Sequence, residues 1–543
     1  MVQNILLRQS ILSHRRRELD RGVKILLVPP TFHYKDAYPS LLSFSDFPSG
    51  FGYLAAVLKQ AGHEVIGLNP NNIPGYPSAK LMLQDVLSRK VKECRPDLIG
   101  LGGLCTDYAF LRDAIAIIRG ADKGIPIVLG GQIVTNDAEF IIKDLKPDWG
   151  IEGEGEEAVV QLANVLQMPQ PVATIQGIQN LWYYNNGNPM PIRTGTNYKP
   201  IDDLPFPDYE PFGVQDMLDN HSMDTRLLYR YSRPYPRPFN IVASRSCPFT
   251  CTFCVHGRRD APYRARSIEN IMQEIRVNYE KYKFNILIIL DELFAVNGKR
   301  MRDFSDGVLA GKEKHGWNFD WMFQTHANAH FDLETLKLAK MTGCFFFSYG
   351  LESASPVVLK SMNKKLEVQQ VIEAMELARQ TGVGFGANLI FGDPAETTET
   401  WAESLAFWLK YGQANFTFLS SLMPYPGSKV FEDCQAKGMF QDKRKYYEQI
   451  DEGTINMTAI PDRNFGELLN LTISLEKAWL FVKPAVRVHT EREGATMHKV
   501  WATCPHCGQE SMYRENLPDL SKPVMLGTGC TKCNQRIKVN IGG

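Results

Sequence analysis

The sequence predicts an α/β chain with three folded parts. These are an N-terminal doubly wound, Rossmann-like parallel sheet, a central (β/α)6 partial barrel of TIM type, and a small C-terminal ribbon built on cysteines. Three observations predict it. Short apolar runs ending in Gly or Pro alternate with amphipathic segments from about Val23 to Met168, and again from about Phe239 to Gly427. Seven of the 11 cysteines fall into two tight clusters, Cys247/Cys251/Cys254 and Cys504/Cys507/Cys530/Cys533. Between the two alternating regions lies an irregular stretch rich in Pro, Asn and Tyr. The expected boundaries are an N-terminal extension over 1–22, the first sheet domain over 23–170 and a linker over 171–235. The barrel follows over 236–440, then a helical segment over 441–500 and the ribbon over 501–543.

Composition narrows the function. The 60 basic and 60 acidic side chains of the 543-residue chain cancel, which argues against a general nucleic-acid or membrane-surface binder. A hydrophobic share of 44% is ample for several cores. No apolar run approaches the roughly 20 residues that span a bilayer. The opening MVQNILLRQSILSHRRRELD lacks an apolar secretory segment with a cleavage site, so a cytoplasmic protein is expected. Clustering at ligand-like spacing points to metal sites in a reducing compartment rather than disulfides. The scattered Cys94, Cys105, Cys344 and Cys434 read as small buried apolar residues.

In the first region KILLVPP, DLIGLGG and IPIVLGG are strand candidates. SGFGYLAAVLKQAGHEV is helical, with Phe51, Leu54, Ala55 and Leu58 on one face and Gly62 as its stop. PDWGIEGEGEEAVVQLANVL closes the unit. Glycine pairs at the strand ends let a ligand approach the backbone closely, where doubly wound sheets bind theirs. GEGEEA has the outline of a dinucleotide glycine motif. It follows the last strand rather than the first, however, and Glu154, Glu156 and Glu157 would repel a pyrophosphate. In the second region six strand candidates run from FNIVASR to FTFLSSLMPYPG, with helices such as SIENIMQEIRVNYEKY between them.

The segment SRSCPFTCTFC places three thiols in a loop after the first of these six strands, a pattern suited to a four-iron cluster with one iron left open. A zinc site completed by His256 is the alternative. The CxxxCxxC triplet, with Phe253 before its last cysteine, resembles the signature of the radical S-adenosylmethionine (SAM) superfamily. That resemblance implies a 4Fe-4S cluster on Cys247, Cys251 and Cys254, whose open iron is chelated by SAM. It also implies a 5'-deoxyadenosyl radical, formed by cleavage of SAM, that abstracts hydrogen from an unactivated carbon. ILDELF ends the second strand with Asp291 and Glu292, where related enzymes place acidic groups near cofactor or substrate; both are expected to be catalytic. The family's Gly-Gly-Glu motif is missing there. YGLESAS, with Glu352 and Ser353, is similar to the strand that contacts SAM, and NLIFGDPAETTET resembles the next motif through Asn388, Gly392, Pro394 and Glu396.

FPSGFGYLAAVLKQAGHEV, GLGGLCTD, IVLGGQ and GEGEEA, in this order, resemble the cobalamin-binding domain of cobalamin-dependent radical SAM enzymes. The implied cofactor contacts are Gly50, Gly103, Leu104, Cys105, Thr106, Gly130, Gly131, Gln132, Gly153, Glu154 and Gly155, with Phe253, Glu352, Ser353 and Asn388 on the SAM side. No D-x-H-x-x-G motif is present, so cobalamin without a histidine ligand is implied. Cys105 is weighed as a cobalt ligand against a buried core thiol. The tail pairs CPHCG and CTKCN put Cys504, Cys507, Cys530 and Cys533 in tetrahedral reach as a structural zinc ribbon.

The resemblance implies a methyltransferase that takes a methyl group from methylcobalamin to a small-molecule or peptide substrate. Its electron donor would be external and flavodoxin- or ferredoxin-like. A cyclase or ring-rearranging enzyme with the same cofactors is the second expectation. A third makes the ribbon, with Tyr513, Arg514, Lys532 and Arg536, a docking module for RNA or protein. A methylthiotransferase is disfavoured because only Cys94 and Cys105 stand N-terminal to the triplet.

Overall fold

The computed structural model describes residues 22–542 except 32–33, 36–46, 72, 74, 169–174, 176, 186, 193–197, 220–231, 257–260, 330, 413–414, 451, 479–481 and 518. The expected extension therefore lies, Gly22 apart, outside the described residues. Two units form: residues up to Met217 with Tyr425–Gly453, and Leu218–Pro424 with the residues from Thr454 on. No helix among the described residues is long and apolar enough to cross a membrane.

In the first unit β1 (Lys24–Val28), β2 (Glu64–Gly67), β3 (Leu98–Gly102), β4 (Ile127–Gly130) and β5 (Trp149–Ile151) pair in parallel, in the order β2-β1-β3-β4-β5. All five residues of β3 are buried, the continuous apolar run of a strand covered on both faces. Helices Ser49–Gln60, Ala79–Cys94, Tyr108–Ala121, Gln132–Leu145 and Glu156–Gln167 alternate with the strands. The Ser78 hydroxyl caps the second of these by accepting from Leu81 N at 3.3 Å.

Three features depart from the expected organisation. The stretch EVIG, just past the expected helix stop at Gly62 and not among the strand candidates, forms edge strand β2; it is four residues long and begins with an exposed glutamate. The expected linker contains β6 (Leu181–Asn185) and β7 (Asn188–Pro191), a hairpin that extends the sheet antiparallel from β5 to seven strands. Gly150 makes room for it, since an added Cβ would lie 3.3 Å from Trp182 Cβ and 2.4 Å from Ile142 Cδ1. The helix Lys443–Gln449 belongs to the first unit. Its buried Tyr447 packs against Tyr108 and Phe140, at 5.3 and 5.4 Å, and donates to Asp137 at 2.9 Å.

In the second unit the first sheet strand is β8 (Pro238–Ile241), followed by the short β9 (Ser244–Arg245) and β10 (Arg264–Ala265). The sheet continues through β11 (Ile286–Ile289), β12 (Asp320–Thr325), β13 (Cys344–Glu352), β14 (Gly384–Phe391) and β15 (Phe416–Ser421). Its six strands lie parallel in chain order, and β8 and β15 do not pair with each other. Period-two alternation sorts the two faces. One face packs on helices: Trp321 meets Phe304 at 4.9 Å and Phe391 meets Trp401 at 4.8 Å. On the other, Gln324, Asn388 and Ser420 are exposed and Ser348 is half-buried, although all sit within strands.

The expected helical segment 441–500 holds the helix Asp462–Ala478 but then turns to strands. β16 (Val488–Arg492), β17 (Met497–Thr503) and β18 (Glu510–Asn516) form an antiparallel meander, and β19 (Val524–Gly529) pairs with β20 (Arg536–Ile541). Four of the five residues of β16 are exposed, so no alternation marks it in the sequence.

Candidate active site and metal centres

The triplet loop begins two residues after β9. Ser246, just before Cys247, takes a left-handed backbone with φ +67°, which turns the chain out of the sheet. The loop is then braced at several points. Thr252 N donates to Met362 O at 3.0 Å, and Asn363 Nδ2 donates to the carbonyl and hydroxyl of Thr250 at 3.1 and 2.8 Å. Phe249 stacks on His326 with centroids 4.1 Å apart. His326 Nε2 lies 3.3 Å from the carbonyl oxygen of Lys364, and burial lowers its pKa to about 4, so the ring is neutral at pH 7.

Cys251 is buried, and Cys247 and Cys254 are half-buried. Burial pushes the Cys251 thiol up to about 11, so coordination would be what deprotonates it at neutral pH. Among the described residues, the tail cysteines form the group of possible ligands whose atoms all lie within 4.8 Å of one another; the triplet does not close to that spacing. His256, the alternative zinc ligand, has its Nε2 3.0 Å from Glu292 Oε1.

The expected SAM-side residues separate sharply. Glu352 is buried at φ +69°, past a register shift in β13, and its Oε1 accepts from the buried Lys364 Nζ at 2.9 Å. An added Cβ at Gly350 would lie 2.1 Å from Glu352 Oε1 and 2.8 Å from Lys364 Nζ, so a larger residue there would displace the ends of this pair. The Lys364 ammonium also sits 5.9 Å from the centroid of the Phe253 ring. Asn388 is exposed on the polar sheet face, paired in register with Gly350 on β13 and Phe418 on β15.

Ser353 corrects the expectation. It is 1% exposed, its hydroxyl accepts from Ser355 N and lies 3.1 Å from the hydroxyl of Ser404, so it serves the turn after β13 rather than a cofactor. Asp291 is a second correction. Both of its oxygens are engaged, by Ala243 N at 2.8 Å and Ser244 Oγ at 2.7 Å, and burial raises its carboxyl to about 6. It is therefore a positioning residue for the entry to the triplet loop, not a catalytic one. Glu292, beside it, is exposed to solvent and pairs with His256.

In the first unit, the carboxyl ends of β3, β4 and β5 form a glycine edge. Gly131, at φ +83°, packs directly on Gly103: an added Cβ would lie 2.7 Å from the Gly103 nitrogen and oxygen. Gly103 O accepts from Ile133 N at 3.0 Å, and Thr135 Oγ1 joins Gly131 O to Gly153 N at 2.8 and 3.0 Å. Leu104 is 47% exposed beside this edge. An added Cβ meets nothing within 4 Å at Gly50 and only Asn180 Nδ2, at 4.0 Å, at Gly153. Gly130, Gln132, Thr106, Glu154 and Gly155 lie along the same loops, on or next to helix N-termini. Glycine backbone at these strand ends lets a large ligand such as a corrin approach the sheet closely. Cys105 is buried, in a 3-10 turn before the helix Tyr108–Ala121, as expected of a small core thiol.

In the tail, Cys504 and Cys533 have sulfurs 3.7 Å apart, and Cys507 and Cys530 3.6 Å. The edge of a tetrahedron with 2.3 Å zinc–sulfur bonds is about 3.8 Å. His506 N and Lys532 N each donate to the first sulfur of their pair at 3.4 Å, the knuckle geometry that orients thiolates toward a metal.

Glu396, after β14, carries a separate consequence. It is 1% exposed with one oxygen accepting from Gly392 N, and burial raises its pKa to about 7. A pKa raised in the fold stabilises fully below the unfolded value near 4.5 and loses that contribution as pH rises through 7. Glu396→Gln keeps the acceptor without the charge. The variant is expected to be more stable than the parent by about 2–3 kcal/mol at pH 8, with the difference vanishing near pH 4.5. Denaturant unfolding at the two pH values checks this; a pH-independent difference would contradict it.

Comparison with known proteins identifies the class. The B12 binding domain family matches residues 46–163, and the Radical SAM superfamily matches residues 241–407. The chain is 27% identical over 440 residues to the uncharacterized methyltransferase PH0819 of Pyrococcus horikoshii, covering 78% of this chain and 86% of that one. It is 23% identical over 437 residues to the anaerobic magnesium-protoporphyrin IX monomethyl ester cyclase of Cereibacter sphaeroides, covering 78% of this chain and 66% of the relative. The fold is similar to that of the radical SAM methyltransferase TsrM of Kitasatospora setae, solved with cobalamin and a [4Fe-4S] cluster; the TM-score is 0.59 at 16% identity, over 78% and 76% of the two chains. A radical SAM domain preceded by a B12-binding domain defines the class of enzyme. This chain carries that pairing, the B12-binding match over 46–163 and the radical SAM match over 241–407.

Proposed function

We propose that the chain is a cobalamin-dependent C-methyltransferase acting on an unactivated carbon of a small-molecule or peptide substrate. The observation that carries this reading is the presence, on one chain, of a braced cysteine triplet after the first strand of one sheet and of paired glycines at the carboxyl ends of β3 and β4 in the other. When bound, the cluster with SAM supplies the radical that removes hydrogen and cobalamin supplies the methyl group.

The protein's own residues position and shield. Met362, Asn363 and His326 hold the triplet loop; Asp291 anchors its entry through Ser244. Lys364 and Glu352 place a buried ion pair beside it. Gln324, Ser348, Asn388 and Ser420 offer polar side chains on the open sheet face, where substrate and SAM need hydrogen-bond partners. Cys504, Cys507, Cys530 and Cys533 hold a structural zinc ion with no open position. The electron donor is a flavodoxin- or ferredoxin-like protein, and the enzyme works in the cytoplasm.

The test is to incubate the anaerobically reconstituted chain with SAM and a reductant, then resolve the products. Methyl transfer requires S-adenosylhomocysteine as well as 5'-deoxyadenosine. Deoxyadenosine without S-adenosylhomocysteine would favour the second reading, a cyclase, which the likeness to the protoporphyrin ester cyclase supports.

A further inference from the structure

The four-cysteine ribbon does more than fold on itself. Its two hairpin systems share a core of nine buried residues, and two of these, Cys504 and Cys530, are members of the cysteine group. So small a core is marginal without a metal staple. The turn that carries the second cysteine pair points into the radical SAM sheet. Asn534, next to Cys533, takes a left-handed backbone at φ +53°, with its N–H donating to Cys530 O at 2.9 Å. That conformation sends its side chain to Gly382 O, which accepts from Nδ2 at 2.6 Å.

The contact falls where β14 begins. An added Cβ at Gly384 would lie 3.3 Å from Asn534 Cβ and 3.0 Å from the Phe346 ring. Arg536, buried at the start of β20, places its guanidinium 5.1 Å from the ring centroid of Phe416, the first residue of β15, and Phe416 in turn meets Phe346 at 6.0 Å. The half-buried Lys340, at the end of the helix Leu333–Met341, lies within electrostatic reach of Cys533 and Cys530. Four thiolates around a zinc dication carry a net charge of about −2, which this lysine offsets.

We propose that the ribbon is a zinc-organised plug beneath the strand starts of the six-stranded sheet, and that the metal secures β14 and β15 through Asn534 and Arg536. The proposal rests on reading the tail as a zinc site. It differs from a docking module for RNA or protein, which would leave the sheet indifferent to the metal. An occupied knuckle fixes the turn from Cys530 to Cys533, and Asn534 transmits that fixed geometry to Gly382. With the metal gone, the turn loses its clamp and the strand starts lose their cover.

Hydrogen exchange on the full chain, reconstituted anaerobically, tests this with two perturbations. One is Cys533→Ser, compared at equal iron content. The other is Asn534→Ala, which keeps all four thiols. About one zinc per parent chain is expected. Cys533→Ser is expected to cut exchange protection in residues 382–391 and 416–421 by about tenfold or more. Asn534→Ala is expected to loosen the same segments while zinc stays bound, so a folding failure of the first variant does not decide the matter. If both variants leave those segments protected and loosen only residues 484–542, the plug is overturned although the zinc site stands. A parent chain that takes up no zinc would overturn the metal reading itself.

Discussion

Cys251→Ala is expected to abolish cluster-dependent cleavage of SAM, to below about one-thousandth of the parent rate, with iron falling from about four per chain toward zero. The reason is geometric. Cys251 is the buried member of the triplet, Cys254 N donates to its carbonyl at 3.2 Å, and the loop holds no fourth cysteine to replace it. Removal of one of three protein thiolates leaves two, too few to hold a four-iron cluster whose fourth iron is kept for SAM. Cys344→Ser is the matched control, since Cys344 is a buried thiol at the start of β13. Iron analysis and the yield of 5'-deoxyadenosine read the outcome. A Cys251→Ala chain that retains both would remove the cluster from the account.

Lys364→Met is expected to cost about 3–5 kcal/mol of stability, because it leaves the buried Glu352 carboxylate without its counter-charge. Side-chain exposure of the pair is 8% and 10%, so water cannot screen the loss. The double variant Lys364→Met/Glu352→Gln is expected to recover a large part of it, since the buried charge is then gone. Urea unfolding of the single and double variants measures both effects. A single variant within about 0.5 kcal/mol of the parent would show that the pair is not a structural element of the site. The same residues brace the triplet: the Lys364 carbonyl meets His326, and Asn363 holds Thr250. Loss of iron affinity is expected to accompany the loss of stability.

Both outcomes depend on residues of very different legibility. The triplet and the tail cysteines were readable because ligand sets are local patterns: spacing in the chain already fixes which sulfurs can converge. The glycine pairs Gly102/Gly103 and Gly130/Gly131 were readable for a related reason, since a strand end that must let a ligand or a second backbone approach excludes a Cβ. The six parallel strands announced themselves through apolar runs such as NILII and CFFF, separated by helical stretches.

Lys364 was not readable. In MNKKL it looks like one of two solvated lysines, and only the return of the helix Pro356–Ser361 to β13 brings it to Glu352. Asp291 and Ser353 misled in the opposite direction. Their motifs resemble cofactor contacts, but tertiary hydrogen bonds to Ser244 and near Ser404 had already claimed them. The polar row Gln324, Ser348, Asn388 and Ser420 left a partial signal: Asn388 is the lone polar residue of GFGANLIF, whereas Gln324 and Ser420 stand next to Thr325 and Ser421. Tyr447 left none, because Asp137, its hydrogen-bond partner, lies 310 residues away in the chain.

The central claim is that one chain carries both a SAM-binding cluster and cobalamin. Mass-spectrometric metal analysis of the full chain, after anaerobic reconstitution with iron, sulfide and hydroxocobalamin, tests it most directly. The account expects about four iron and one cobalt per chain. Iron without cobalt would contradict it: the glycine edge of the first unit would then hold no corrin, and methyl transfer through cobalamin would fall with it.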